Sequence, residues 1–140
     1  MRNAALFLLA LLPALAQAND VRCLQSTGTG KPIQLQLTLF TTEQGWSQAG
    51  EVQYRGQPDS LPVVFKNSVV VMEVEDRPWE FLSTWLEVLP EQEKIGGRYQ
   101  FHHQGAVAFA FTYSNDRSGK RFDFEERRDL LNEQDTCNWP

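Results

Sequence analysis

Residues 106–126 read AVAFAFTYSNDRSGKRFDFEE, and this stretch decides the class of fold. Val107, Phe109, Phe111 and Tyr113 alternate with small or polar residues, which gives an extended segment one apolar face. Asn115-Asp116-Arg117-Ser118-Gly119 follows. These residues favour turns because they bond to their own backbone or tolerate positive φ. Residues 120–126 then return with Phe122 and Phe124 alternating with Arg121, Asp123 and Glu125. The pattern is a hairpin of two half-buried antiparallel strands.

The same pattern recurs on either side. Residues 98–103 form a strand divided from the next at Gly105, and Gly96-Gly97 marks a turn before it. Residues 31–41 are the clearest strand of all, with Ile33, Leu35, Leu37 and Leu39 alternating with Gln34, Gln36 and Thr38. A turn at residues 42–45 leads to a short strand at 50–55. The run Gly56-Gln57-Pro58-Asp59-Ser60 is strong turn chemistry. Residues 61–65 and 68–75 read as the next β pair, with Asn67 as turn or bulge. In the second piece Val70, Met72 and Val74 face inward against Glu73 and Glu75.

Residues 79–89 admit two readings. Phe81, Leu82, Trp85, Leu86 and Leu89 fit a helical stripe, with Asp76 as cap and Pro78 in the first turn. Trp85 to Leu89 fits a strand equally well, and its neighbours favour that choice. A short helical turn fits residues 127–133. The expected fold is mainly β: an antiparallel meander forming a small sandwich or barrel of about eight strands, with room for one short helix.

The first 18 residues, MRNAALFLLALLPALAQA, have the three parts of a secretory signal peptide. Arg2 is the positive region, residues 4–15 are apolar apart from Pro13, and Ala16-Gln17-Ala18 is a small-x-small cleavage signal. The apolar run is too short for a membrane span. Cys23 follows Asp20-Val21-Arg22, which does not resemble a lipid-attachment site. Residues 19–140 are then a single β-rich domain. It keeps 12 cationic and 18 anionic side chains, a net charge of −6. That balance argues against nucleic acid and anionic membranes and suits a protein partner of cationic character. Cys23 and Cys137 both remain, and an oxidising compartment favours their pairing as a disulfide that ties the two termini.

Chemistry-bearing motifs are sparse. His102 and His103 are adjacent on a strand and point to opposite faces, so they cannot share one metal. Glu73 with Glu75, and Asp123 with Glu125, read as solvated strand faces without a calcium-loop pattern. There is no Gly-x-Ser-x-Gly elbow, and Gly28-Thr29-Gly30-Lys31 lacks the rest of a phosphate loop. No catalytic residue, metal site or cofactor is expected. Four tryptophans stand out, and Trp46 beside Gly45 is placed in a loop, where aromatic anchors serve recognition.

Ser118-Gly119-Lys120-Arg121-Phe122 resembles the Ser-Gly-x-x-Tyr loop of periplasmic lysozyme inhibitors, with Phe122 in place of the tyrosine. The likeness covers five residues. It implies a small barrel whose loop serine and a lysine plug an enzyme cleft. The expectation is an exported, non-catalytic protein-binding domain: a periplasmic inhibitor or immunity protein against a cell-wall hydrolase or toxin, contacting its partner through Trp46, Ser118 and Lys120. The other expectation is a small-molecule or sugar-binding barrel with aromatic residues at its mouth.

Overall fold

The computed structural model describes residues 18–140; the leader reading falls on residues outside that range. Eight antiparallel strands close into an up-and-down barrel in chain order. They are β1 (Asp20–Ser26), β2 (Gln34–Thr42), β3 (Gly45–Tyr54), β4 (Leu61–Met72), β5 (Glu80–Leu89), β6 (Lys94–Gln104), β7 (Val107–Asn115) and β8 (Arg121–Glu126). Closure comes from the short β1–β8 ladder, Leu24 opposite Glu126 through Ser26 opposite Phe124. Two 3₁₀ turns, Pro90–Gln92 and Arg128–Leu130, are the helical content of the described residues.

Strand alternation fills the interior. Leu24, Leu35, Leu37, Leu39, Val52, Val63, Trp85, Phe101, Phe111 and Phe124 are buried in one cluster with Tyr99 and Tyr113. An eight-stranded barrel is just wide enough for its side chains to fill it. The void bounded by Asp20, Arg22, Leu39, Phe101 and His103 amounts to about 10 Å³. Because the strands alternate in direction, hairpins alternate between the two barrel ends. One end carries the loops at 27–33, 55–60, 90–93 and 116–120. The other carries the loops at 43–44, 73–79 and 105–106.

Several local readings change. Residues 20–26 form a strand that the sequence pattern does not single out. Residues 61–72 are one strand, not a pair; Asn67 follows a bulge that lets β4 stay in register with β5. The two errors offset each other in the strand count. Residues 79–89 resolve as strand rather than helix, and Asp76 takes a left-handed φ of 59° in a turn. Glu73 and Glu75 lie past the end of β4, in the β4–β5 loop rather than on a strand face. Gly96-Gly97 is not a turn: both glycines are buried within β6, and the turn before it is at 90–93. A bulge of β7 against β6 at His102/His103 turns Phe109 out of the wall, where it is about half exposed. The alternation had placed it with Phe111.

Beyond β8 the chain runs back along the outside of β1 and β2. Cys137 is disulfide-bonded to Cys23 with Cα atoms 5.7 Å apart. The Cys137 amide donates to Gln36 Oε1 (3.0 Å), and the Arg127 amide donates to the Cys23 carbonyl (2.7 Å). The bond spans 114 residues, so it restricts the unfolded chain strongly. It is compatible with an oxidising, exported location. Cys137→Ser is expected to lower stability by about 2–5 kcal/mol and to open residues 127–140 to limited proteolysis, checked by chemical denaturation and by mapping the first cleavage.

Candidate functional site

Trp85, Glu87 and Leu89 share the inward face of β5, which puts a carboxylate inside the barrel. Glu87 is 4% exposed. A buried carboxylate costs several kcal/mol unless hydrogen bonds replace its water. The replacements are tyrosines. Tyr99 donates its hydroxyl proton to Oε2 (2.7 Å) and Tyr113 to Oε1 (2.9 Å). The Tyr54 hydroxyl lies 3.3 Å from Oε2 and hydrogen-bonds the Tyr99 hydroxyl. These are all three tyrosines of the chain. Burial, and next to it the neighbouring charges of the cluster, push their hydroxyl pKa values well above the ordinary tyrosine range.

Gly96 and Gly97 are where β6 passes this cluster. A Cβ on Gly96 would lie 2.8 Å from Glu87 Oε1, and one on Gly97 would lie 2.6 Å from the Tyr113 hydroxyl. Neither position has room for a side chain. The glycines that look like turn residues in the sequence are there for close approach.

The cluster reaches the surface through Tyr113. The Asn115 side-chain amide donates to the Tyr113 hydroxyl (3.4 Å), and the same side chain organises the 116–120 loop. Asn115 Oδ1 accepts from the amides of Arg117 (3.0 Å) and Ser118 (2.9 Å) and from Ser118 Oγ (3.1 Å). Ser118 Oγ in turn accepts from the Lys120 amide (3.2 Å). The Asp116 amide donates to the Gly96 carbonyl (3.0 Å), and Arg98 pairs with Asp116 (3.0 Å). Ser118 and Lys120 are therefore exposed at the tip of a loop whose conformation is set from below. A groove of about 400 Å³, lined by Leu89, Lys94, Ile95 and Arg117, runs beside it.

Trp46 is not in a loop. Its backbone belongs to β3 opposite Thr41, because a two-residue turn at 43–44 closes the β2–β3 hairpin directly; its side chain lies outside what the structure describes. That hairpin is at the opposite barrel end from Ser118 and Lys120. The three residues do not form one surface.

The end that holds Trp46 has its own interior polar groups. Arg22 pairs with Asp20 (3.1 Å) and Glu126 (3.4 Å). His102 points outward, 3.1 Å from Glu80, with its ring tilted against Phe109 at 4.4 Å between centroids. His103 points inward, with Nε2 2.8 Å from Ser83 Oγ, which meets Ser68 Oγ at 2.9 Å. Burial pushes the His103 pKa down; Arg22 and His102 add to this, and a hydrogen bond with the Gly105 backbone opposes it. On balance these influences favour the neutral ring. Among the described residues no group of three or more His, Cys, Asp and Glu side chains is placed to hold a metal.

Two pH effects follow. A neutral buried histidine binds fewer protons when folded than when unfolded, so its stabilisation is present above the unfolded pKa of about 6.5 and is lost as pH falls below it. His103→Gln should flatten the pH dependence of the melting temperature below about pH 6.5. The tyrosines act in the opposite sense: they keep protons that the unfolded chain releases above about pH 10, so stability falls beyond that pH. Absorbance at 295 nm should show no tyrosinate before unfolding. A normal titration of one or more tyrosines in the folded protein would contradict the cluster.

Compared with known proteins, the chain matches no family model, no curated protein and no solved structure.

Proposed function

We propose that this is an exported, non-catalytic protein-binding domain, most specifically a periplasmic inhibitor or immunity protein against a cell-wall hydrolase or toxin. The observation that carries this reading is the 116–120 loop. It projects Ser118 and Lys120 from the barrel end while Asn115, Gly96 and Arg98 hold it in one conformation. A loop ordered before contact loses little freedom on binding, which is how a short segment gains useful affinity. Glycan-cleaving enzymes carry a pair of carboxylates in an open cleft. The Lys120 ammonium is a point charge suited to such a pair, and the Ser118 hydroxyl adds a hydrogen bond. The negative excess on the rest of the molecule steers a cationic enzyme toward it. The disulfide supports a periplasmic or secreted setting.

The packed interior favours this reading over a small-molecule or sugar-binding barrel. Such a barrel holds its ligand in an interior cavity. Here Leu35, Leu37, Val52 and Val63 are at 0% exposure in the core, which leaves, among the described residues, only open surface grooves such as the one of about 680 Å³ beside Lys31, Tyr54 and Arg55.

The test is inhibition of peptidoglycan hydrolysis by a panel of purified muramidases and amidases. The wild-type protein should inhibit at least one of them stoichiometrically. The double variant S118A/K120A should weaken inhibition by about tenfold or more, as loss of a central contact does, with little change in melting temperature because both side chains are exposed and the hydrogen bonds of Ser118 Oγ stay within the loop. Asn115→Ala should weaken it through a slower association. A panel with no inhibited member, or equal inhibition by S118A/K120A, overturns the reading.

A further inference from the structure

Toward the opposite end of the closed barrel the ladder between β3 and β4 stops short. β4 is 12 residues long, but β3 pairs with it only from Leu61 to Val64. From Phe65 to Met72 its ladder, among the described residues, is to β5 alone. The far edge of β4 thus presents backbone N–H and C=O groups with no strand opposite. Such an edge is a template for a further strand.

Its side chains point the same way. Val69, Val70, Val71 and Met72 are each about half exposed, four consecutive apolar residues in water, so Val70 and Met72 do not take the buried positions that alternation gives them. On the outer wall Val69 is followed by Leu82, and His102 separates Leu82 from Phe109. Trp79, 44% exposed, stands in the β4–β5 loop. Bulges before Asn67 and before Met72 interrupt the strand, a device that discourages indiscriminate pairing. They leave the run from Asn67 to Val70 regular. The loop that follows carries Glu73, Glu75 and Asp76 against the single cation Arg77.

We propose that the free edge of β4 is a docking strand for an extended, basic segment of a protein partner. Backbone pairing would give the register, Val69 to Met72 and Trp79 the apolar contact, and Glu73, Glu75 and Asp76 the preference for cations. A second copy of this chain is the poorer occupant, because both copies carry the same negative excess. This surface lies at the end away from Ser118 and Lys120 and does not depend on the function proposed for them.

The probe is a short synthetic peptide alternating Lys and Val, compared with one alternating Glu and Val. Binding is followed by calorimetry and by amide hydrogen exchange. The Lys peptide should bind about tenfold tighter or better and should slow exchange across residues 65–72. Val71→Lys, at an exposed bulge and with its melting temperature checked, and the double variant E73K/E75K should each weaken it by about tenfold. S118A/K120A should bind as wild type does, which separates this surface from the other. Unchanged exchange at residues 65–72 under saturating peptide, equal binding of the two peptides, or a dimer that buries β4 and excludes the peptide would each overturn the proposal.

Discussion

One buried carboxylate orders the loop-bearing end of this barrel. Glu87 sits where an apolar residue would cost nothing, and its charge can stay inside only if hydrogen bonds replace water. Three strands each send a tyrosine to it: β3 gives Tyr54, β6 Tyr99 and β7 Tyr113. A fourth constraint is negative. Side chains on Gly96 and Gly97 would fill the space that the carboxylate and the Tyr113 hydroxyl occupy. Strand register is therefore fixed twice, once by apolar packing and once by a directional network that tolerates no slip. A one-residue shift of β6 would turn Tyr99 to solvent and leave the charge short of a donor.

The network does not stop at the core. The Tyr113 hydroxyl donates a hydrogen bond to Glu87 and accepts one from Asn115, and Asn115 Oδ1 holds three donors of the 116–120 loop. The exposed Ser118 and the buried Glu87 are thus joined by three hydrogen bonds through two side chains, Asn115 and Tyr113. A loop that looks free in sequence is an outgrowth of the core, and its rigidity is a property of the barrel rather than of its own short composition.

Much of the wall was legible. Period-two alternation identified residues 31–41, 106–114 and 120–126, and the turn chemistry at 56–60 and 115–119 separated strands correctly. What escaped has physical causes. β1 was missed because Arg22 points inward, held by Asp20 and Glu126, and breaks the apolar alternation. Gly96-Gly97 misled because glycine signals both turns and close approach, and only the third dimension says which. Phe109 and β4 misled because bulges, which sequence periodicity cannot register, shift the face a residue presents. The tyrosine–carboxylate cluster went unread although a signal existed: a lone acid sharing a strand face with Trp85 and Leu89. Trp46, which composition singled out, stands on a strand at the far end from Ser118.

The separation of Trp46 from Ser118 changes how recognition must be organised. A closed, filled barrel does not bend to bring its two ends onto one partner surface, since packed interiors transmit strain instead of absorbing it. Under the two proposals, features at opposite ends therefore act on different contacts or different partners. The ends also differ in kind. One offers side chains, Ser118 and Lys120, from a loop held rigid by the core. The other offers backbone, along the open edge of β4, with Trp79 and three acids beside it. The first suits insertion into a concave site, and the second suits an extended chain laid alongside. The disulfide lies between them, fastening the C-terminal segment over β1 and β2 and so stiffening the one wall that neither end uses.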